Sequence, residues 1–266
     1  RALARYASDA EGALFPVSWV ERAMDAAFDV DLPPVGGLDV AGSVAGDDTA
    51  LALVAGPDAA GRFRVLDVHA WQVSDTQESK GRALRLARAA GATVLRVDVV
   101  GLGKGVADSI ALDFPVDEFR ASSSAEDPVR FANRKAEIAW TLRDLLEAGR
   151  VRLPRSATLK AQLVAMRYEV TPRGTVRVVD PSDSPDHVDA VLIALAGEPE
   201  GAGWGAMAEA LRAEREERDS RAAAHVEDFG AAAYGFAPVE PDGMGLDGLP
   251  VAARRRHPSS LERALG

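Results

Sequence analysis

The chain has 266 residues, 47% of them hydrophobic, no cysteine and a formal net charge of −10. This composition supports a sizeable core and excludes disulfides, thiolate metal sites and a cysteine nucleophile. No run approaches the roughly 18 apolar residues of a membrane span, and the N-terminal segment lacks the basic-then-apolar order of a signal peptide. A cytoplasmic protein is expected. The chain begins at Arg1 and is expected to be a piece of something longer. Its acidity is uneven: residues 31–197 carry 20 basic and 23 acidic side chains, a net of −3. Overall charge therefore does not exclude a nucleic-acid partner.

Residues 1–30 read as a linker or the remnant of a preceding unit. They contain a short amphipathic helix, "SWVERAMDAA", in which Ser18 and Glu21 have capping-box spacing. "DLPPVGG" then breaks the pattern. From Gly37 the segments "GLDVAG", "TALALVAG" and "RFRVLDVHAWQV" predict three sequential antiparallel strands. "TQESKGRALRLARAAG" predicts a helix stopped by Gly91. "TVLRVDVV" is the fourth strand, "GVADSIALDF" the next helix and "PVDEFRA" the fifth strand. The longest helix is expected over "VRFANRKAEIAWTLRDLLEAG". A short strand "RVRLP", a helix "SATLKAQLVAM" and a hairpin around Pro172-Arg173-Gly174 follow. "SPDHVDAVLIALAG" is a final apolar helix. Residues 198–266, a charged helix and a Gly/Pro-rich stretch, read as a partly disordered tail.

Three antiparallel strands, then helix, strand, helix and strand, is the order of an α/β, RNase H-like mixed sheet of five or slightly more strands. Helices flank the sheet, with an added hairpin and a C-terminal tail. Residues 31–197 would form that domain.

Four acids stand out. Asp39 sits inside a strand, where aspartate is depleted and a buried carboxylate is costly. Asp98 ends an apolar strand before a glycine loop, where a turn-forming role is the alternative. Asp186 and Asp189 are three apart at a helix start, hence on one face, although Asp186 also fits an N-cap. In this fold the first and fourth strands are neighbours, and the last helix packs near their ends. Carboxylates about 4 Å apart repel by on the order of 4 kcal/mol at an effective dielectric of ~20. Divalent cations remove that repulsion, and oxygen-only ligands suit Mg²⁺ or Mn²⁺. Two ions can activate water and stabilise a leaving oxygen in phosphodiester hydrolysis.

At these residues the chain resembles the C-terminal nuclease domain of the terminase large subunit of tailed bacteriophages. The resemblance runs through "GLDVAGSVAGDDTALAL", "VDVVGLGKGVADSI", "FANRKAEIAWTLRDLLEAGRV", "LKAQLVAMRYEV" and "SPDHVDAVLIAL", over roughly residues 35–196. It implies an endonuclease that cuts double-stranded viral DNA during packaging in the infected bacterial cell. It further implies a metal cluster at Asp39, Asp98 and one or both of Asp186 and Asp189. The terminase small subunit and the portal would be partners in the full assembly. The packaging ATPase of such subunits has no counterpart here: Lys104 is followed by Gly105, not Ser or Thr, so "GLGKG" is no Walker A loop.

Asp47 and Asp48 are candidate outer ligands or plain turn formers. His187 is a candidate for positioning water or phosphate. Lys104, Arg134 and Lys135 are candidate phosphate contacts or ordinary surface charges. A junction resolvase or transposase on the same fold, a non-catalytic portal-docking module and an actin-like nucleotide domain are the competing readings.

Overall fold

The computed structural model describes residues 12–41, 48–73 and 75–197, with six further positions between 210 and 220. The segment 42–47 and almost all of the expected tail lie outside the described residues.

Strands β1 (Val35–Asp39), β2 (Thr49–Ala55) and β3 (Phe63–Trp71) pair antiparallel in succession. Helix α2 (Thr76–Ala89) follows, after α1 (Val17–Asp25) near the start of the chain. β4 (Val94–Asp98) returns parallel beside β1, and α3 (Gly103–Ala111) leads to β5 (Val116–Phe119), parallel to β4. α4 (Arg134–Glu147) leads to β6 (Val151–Arg152), which extends the far edge along β3. The sheet order is β5-β4-β1-β2-β3-β6. α5 (Ala157–Ala165), the hairpin β7 (Arg167–Val170) and β8 (Val176–Val179), and α6 (Asp186–Leu195) complete the unit. The expected mixed sheet of five or slightly more strands is present with six, the sixth being the short strand expected after α4, which pairs with β3.

The sheet has a core on each face. One is filled by Leu38, Leu51, Leu95 and Val97 against Ala83, Leu84, Ala87, Val106 and Ile110 of α2 and α3. The larger one joins Ala50, Ala52, Val54 and Val65 to α1, α4, α5 and α6. Alternation along β4 explains the division: Leu95 and Val97 face the first core, while Arg96 and Asp98 face α6.

Two local expectations shift. Ser18 does not cap α1. Pro16 holds the N-cap position and its carbonyl accepts from Trp19 and Val20. α4 begins at Arg134, not near Val129, because the Asn133 side chain accepts the Ala136 N–H at 2.9 Å and caps the helix. Residues before it turn back to the hairpin, where Phe131 bridges Val176.

The N-terminal segment is part of the larger core. Leu14 and Phe15 are fully buried, and Leu14 N–H donates to Met166 O at 3.1 Å. The Arg143 guanidinium stacks over Trp19, Trp140 and Tyr168 and donates to the Ala13 and Leu14 carbonyls. Among the described residues, no helix is long and apolar enough to cross a membrane.

Candidate metal centre

β1 and β4 lie side by side in parallel, with Leu38 opposite Val97, so Asp39 and Asp98 finish at the same edge of the sheet. Gly37 and Asp39 share the face that α6 covers. A Cβ on Gly37 would lie 2.2 Å from Ala190 O and 2.3 Å from Ala194 N. With no side chain between them, the α6 backbone rests directly on β1. Its first turn, carrying Asp186 and Asp189, therefore reaches the strand ends. The other end of α6 is fastened by buried Arg96, which donates to Ala194 O at 2.6 Å and pairs with Asp117 at 2.7 Å.

Each acid is held differently. Asp186 is buried as the first residue of α6. Its carboxylate accepts from Ser184 Oγ at 2.5 Å and from the Asp48 backbone N–H at 2.8 Å. Pro185 takes the N-cap position and no side chain caps the helix, so Asp186 is not the cap. The adjoining His187 N–H donates to Gln162 on α5 at 3.0 Å, pinning the turn. Asp98 accepts from the Val100 N–H at 3.2 Å. For Asp39, no hydrogen bond from the described residues reaches the carboxylate.

Asp189 meets a lysine. Lys135 Nζ lies 2.9 Å from Asp189 Oδ1 and 3.0 Å from Oδ2, and 2.9 Å from Asp180 Oδ2. The contact to Oδ1 is an ion pair without hydrogen-bond geometry, which leaves that buried oxygen with no hydrogen bond.

The electrostatics report crowding. Asp39 keeps some exposed surface, yet burial pushes its carboxyl up to about 8, and the charges of Asp189, Asp186 and Asp98 add to the rise while Lys135 opposes it. Asp189 is raised to about 6 by burial, against the pull of Lys135. Burial also raises Asp98, opposed by the backbone N–H groups of Val100 and Ala121. Burial works to lower Lys135, but Asp189 and Asp180 outweigh it, and its pKa lies above the ordinary lysine value. His187 is lowered by burial; its Nδ1 is buried without a hydrogen-bond partner.

The structure thus gathers Asp39, Asp98, Asp186 and Asp189 within electrostatic reach of one another and adds Lys135 among them. As they stand, no three acidic or His side chains among the described residues are close enough together to hold an ion. The donor set nevertheless fits a hard divalent cation. Every donor is a carboxylate oxygen, one buried oxygen of Asp189 lacks a hydrogen bond, and the cation paired with the group is the Lys135 ammonium, with the charge of Arg120 also favouring ionised Asp98.

The remaining candidates separate. Lys104 is exposed and paired with Asp108 and Glu118. Arg134 is largely buried and paired with Glu126 and Glu137. Asp48 contributes its backbone N–H to Asp186, and Asp47 lies outside the described residues. Asp180 was missed. The acid-rich run "VVDPSDSPDHVD" was its signal, because a helix-start acid pair preceded by further acids calls for a counter-cation. Of the loop glycines, Gly101 needs its φ of +62°, and a Cβ on Gly103 would sit 1.8 Å from Asp98 O; Gly105 has open space around it.

The sequence profile of the family described as terminase RNaseH-like domain matches residues 36–197. Among solved structures, the nuclease domain of the large terminase subunit gp2 of bacterial virus Sf6 is similar at 18% identity. That match covers 69% of this chain and 98% of that one, with a TM-score of 0.60. The large terminase nuclease of thermophilic phage G20c is similar at 16% identity over 70% of this chain and 97% of its own, TM-score 0.51. The HK97 bacteriophage large terminase matches at 17% identity over 69% of this chain and 43% of its own, TM-score 0.54. A point mutant of the Sf6 subunit's nuclease has been solved with manganese and with calcium, and the G20c nuclease with cobalt. No curated protein matches in sequence.

Proposed function

The chain belongs to the terminase RNase H-like domain family, and from that premise we propose that it is a divalent-metal-dependent endonuclease cutting double-stranded viral DNA during genome packaging. The observation that carries this reading is the crowding of Asp39, Asp98, Asp186 and Asp189, with the Asp39 carboxyl pushed up to about 8 and Lys135 as the resident cation. Structural carboxylates are normally paired or hydrogen-bonded. A crowded group whose central acid has no hydrogen bond from the described residues is built to receive a cation.

Asp39 and Asp98 would hold the ions from the strand ends, and Asp189 from the helix. Asp186, already accepting two hydrogen bonds, would act from a fixed position. When bound, two Mg²⁺ or Mn²⁺ ions would lower the pKa of the attacking water and stabilise the leaving 3′ oxygen. Lys135 is suited to bind a phosphate oxygen once its carboxylate partners take up metal. Lys104 and Arg134, held by acids of their own, would contribute to DNA binding only by exchanging those partners. Residues 31–197, with Leu14, Phe15, Val20 and Ala23 packed into their larger core, would form the catalytic unit, and 198–266 a tail. The small terminase subunit and the portal would present the DNA.

The test is plasmid cleavage in Mn²⁺ or Mg²⁺. The protein is expected to nick and linearise plasmid only with the metal, and Asp39→Ala and Asp98→Ala should each lower the rate more than about a hundredfold. Cutting in EDTA, or full activity in both variants, would sink the reading.

A further inference from the structure

Two large apolar side chains stand in solvent beside the carboxylates: Val100 is 53% exposed and Leu102 51%. They flank Gly101 in the turn between β4 and α3. That turn is fixed by Gly101's positive φ and by the packing of the Gly103 backbone on Asp98 O. Gly103 N–H donates to Val100 O at 3.3 Å, and Val99 is buried in the core beneath. The turn is joined to the site itself, since Val100 N–H donates to the Asp98 carboxylate. Leu102 opens α3, whose Val106, Ala107 and Ile110 supply its inward contacts. The next residue able to meet a phosphate, Lys104, is neutralised by Asp108 and Glu118. The turn therefore presents apolar surface and little net positive charge.

We propose that Val100 and Leu102 form a docking surface for duplex DNA, packing against deoxyribose and base edges next to the phosphate held at Asp39 and Asp98. This rests on the nuclease reading above. Continuity with the site selects DNA as the occupant. A polymer whose phosphate reaches Asp98 must run past a turn hydrogen-bonded to that carboxylate, whereas a protein seated there would cover the carboxylates. Apolar side chains at this position would meet the uncharged parts of a nucleotide; apolar side chains of minor-groove proteins likewise contact the uncharged bases, there by wedging between base steps. The turn would set how the duplex lies over the acids while the metal site holds the phosphate.

The experiment compares wild type, Leu102→Ser, Val100→Ser/Leu102→Ser and a control, Leu112→Ser. Leu112 is 84% exposed just past the far end of α3. Binding of a fluorescein-labelled duplex oligonucleotide is measured in Ca²⁺ over a range of salt, with plasmid cleavage and Mn²⁺ affinity alongside. The double variant should bind the duplex about tenfold more weakly. Its dependence on salt should be unchanged, because no phosphate contact is lost, and its Mn²⁺ affinity should match wild type. Leu112→Ser should behave as wild type. Wild-type cleavage accompanied by equal DNA binding in the double variant would overturn this inference alone and leave the turn to a protein partner. A steeper or shallower salt slope in the double variant would also overturn it. A wild type that neither binds nor cuts duplex DNA would overturn the nuclease reading and this inference with it.

Discussion

On one face of the sheet, α2 and α3 rest on Leu38, Leu95 and Val97, ordinary apolar side chains that hold the helices at packing distance. On the other, α6 lies backbone against backbone on β1 across Gly37. The first arrangement tolerates adjustment, because side chains can shift to absorb a misfit. The second does not, because two main chains are in contact. The carboxylates sit on the second face, so the least forgiving packing in the sheet is spent on placing Asp186 and Asp189 over Asp39.

Neighbouring glycines test this difference most sharply. A Cβ on Gly37 would meet Ala190 O and Ala194 N, while one on Gly36 would meet Leu95 Cδ2 at 2.4 Å, the end of a flexible side chain. Gly37→Ala is expected to cost about 3 kcal/mol or more in urea denaturation and to abolish cleavage by tilting α6 off the strand. Gly36→Ala should cost about 1 kcal/mol and leave cleavage nearly intact. Equal costs, or an active Gly37→Ala, would remove the distinction between the faces.

The faces also differ in how their stability should respond to pH. The Asp39 and Asp189 carboxyls titrate at about 8 and about 6 in the folded chain, above the unfolded value of roughly 3.9. A raised carboxyl binds its proton more tightly when folded. The stability it contributes is complete below pH ~4 and is lost as pH rises through about 6 and then about 8. Melts in EDTA should therefore fall, by a few kcal/mol, between about pH 5 and about pH 8.5. Asp39→Asn should flatten the upper part of that fall and Mn²⁺ should erase it. No fall in EDTA would mean that the acids are not crowded.

A smaller effect is expected from the fastening of α6. Arg96→Met leaves the Ala194 carbonyl without its donor and Asp117 without its partner. The expected cost is about 2 kcal/mol, with cleavage per folded molecule reduced less than by Gly37→Ala, since the C-terminal end of α6 is remote from the acids. A variant as stable as wild type would show that Gly37 alone seats the helix.

Much of this arrangement was legible in the residues. Alternation and turn signals mark all the main strands, and an aspartate inside β1 or ending β4 has no packing reason to be there. Asp186 and Asp189 declare themselves by helical spacing. The remainder depends on partners distant in sequence. Nothing near Lys135 announces that its ammonium will meet Asp189 and Asp180, 54 and 45 positions away. Beside Arg134, which pairs with Glu126 and Glu137, it reads as one more surface charge. Gly37 likewise reads as a strand glycine until α6 is in place above it. The capping of α4 by Asn133 was written locally but obscured by the apolar residues before it.

Lys135 offers the finest test of the site. Its ammonium lies about as far from both Asp189 oxygens as a hydrogen-bond donor does, and a cation at Asp189 must either displace it or stand close to its charge. Like charges a few ångströms apart repel by kcal/mol even at an effective dielectric of ~20. Replacing Lys135 with methionine keeps the length of the side chain and removes the charge. Metal-free Lys135→Met should be less stable at neutral pH, because the carboxylates lose their counter-cation. Its affinity for Mn²⁺, measured by calorimetry, should rise about tenfold, because the ion no longer competes with an ammonium. Cleavage should nonetheless fall if the freed ammonium serves the phosphate in the wild-type chain. Tighter metal with slower cutting would separate the two roles of the lysine. Unchanged Mn²⁺ affinity would show that the ions bind away from Asp189.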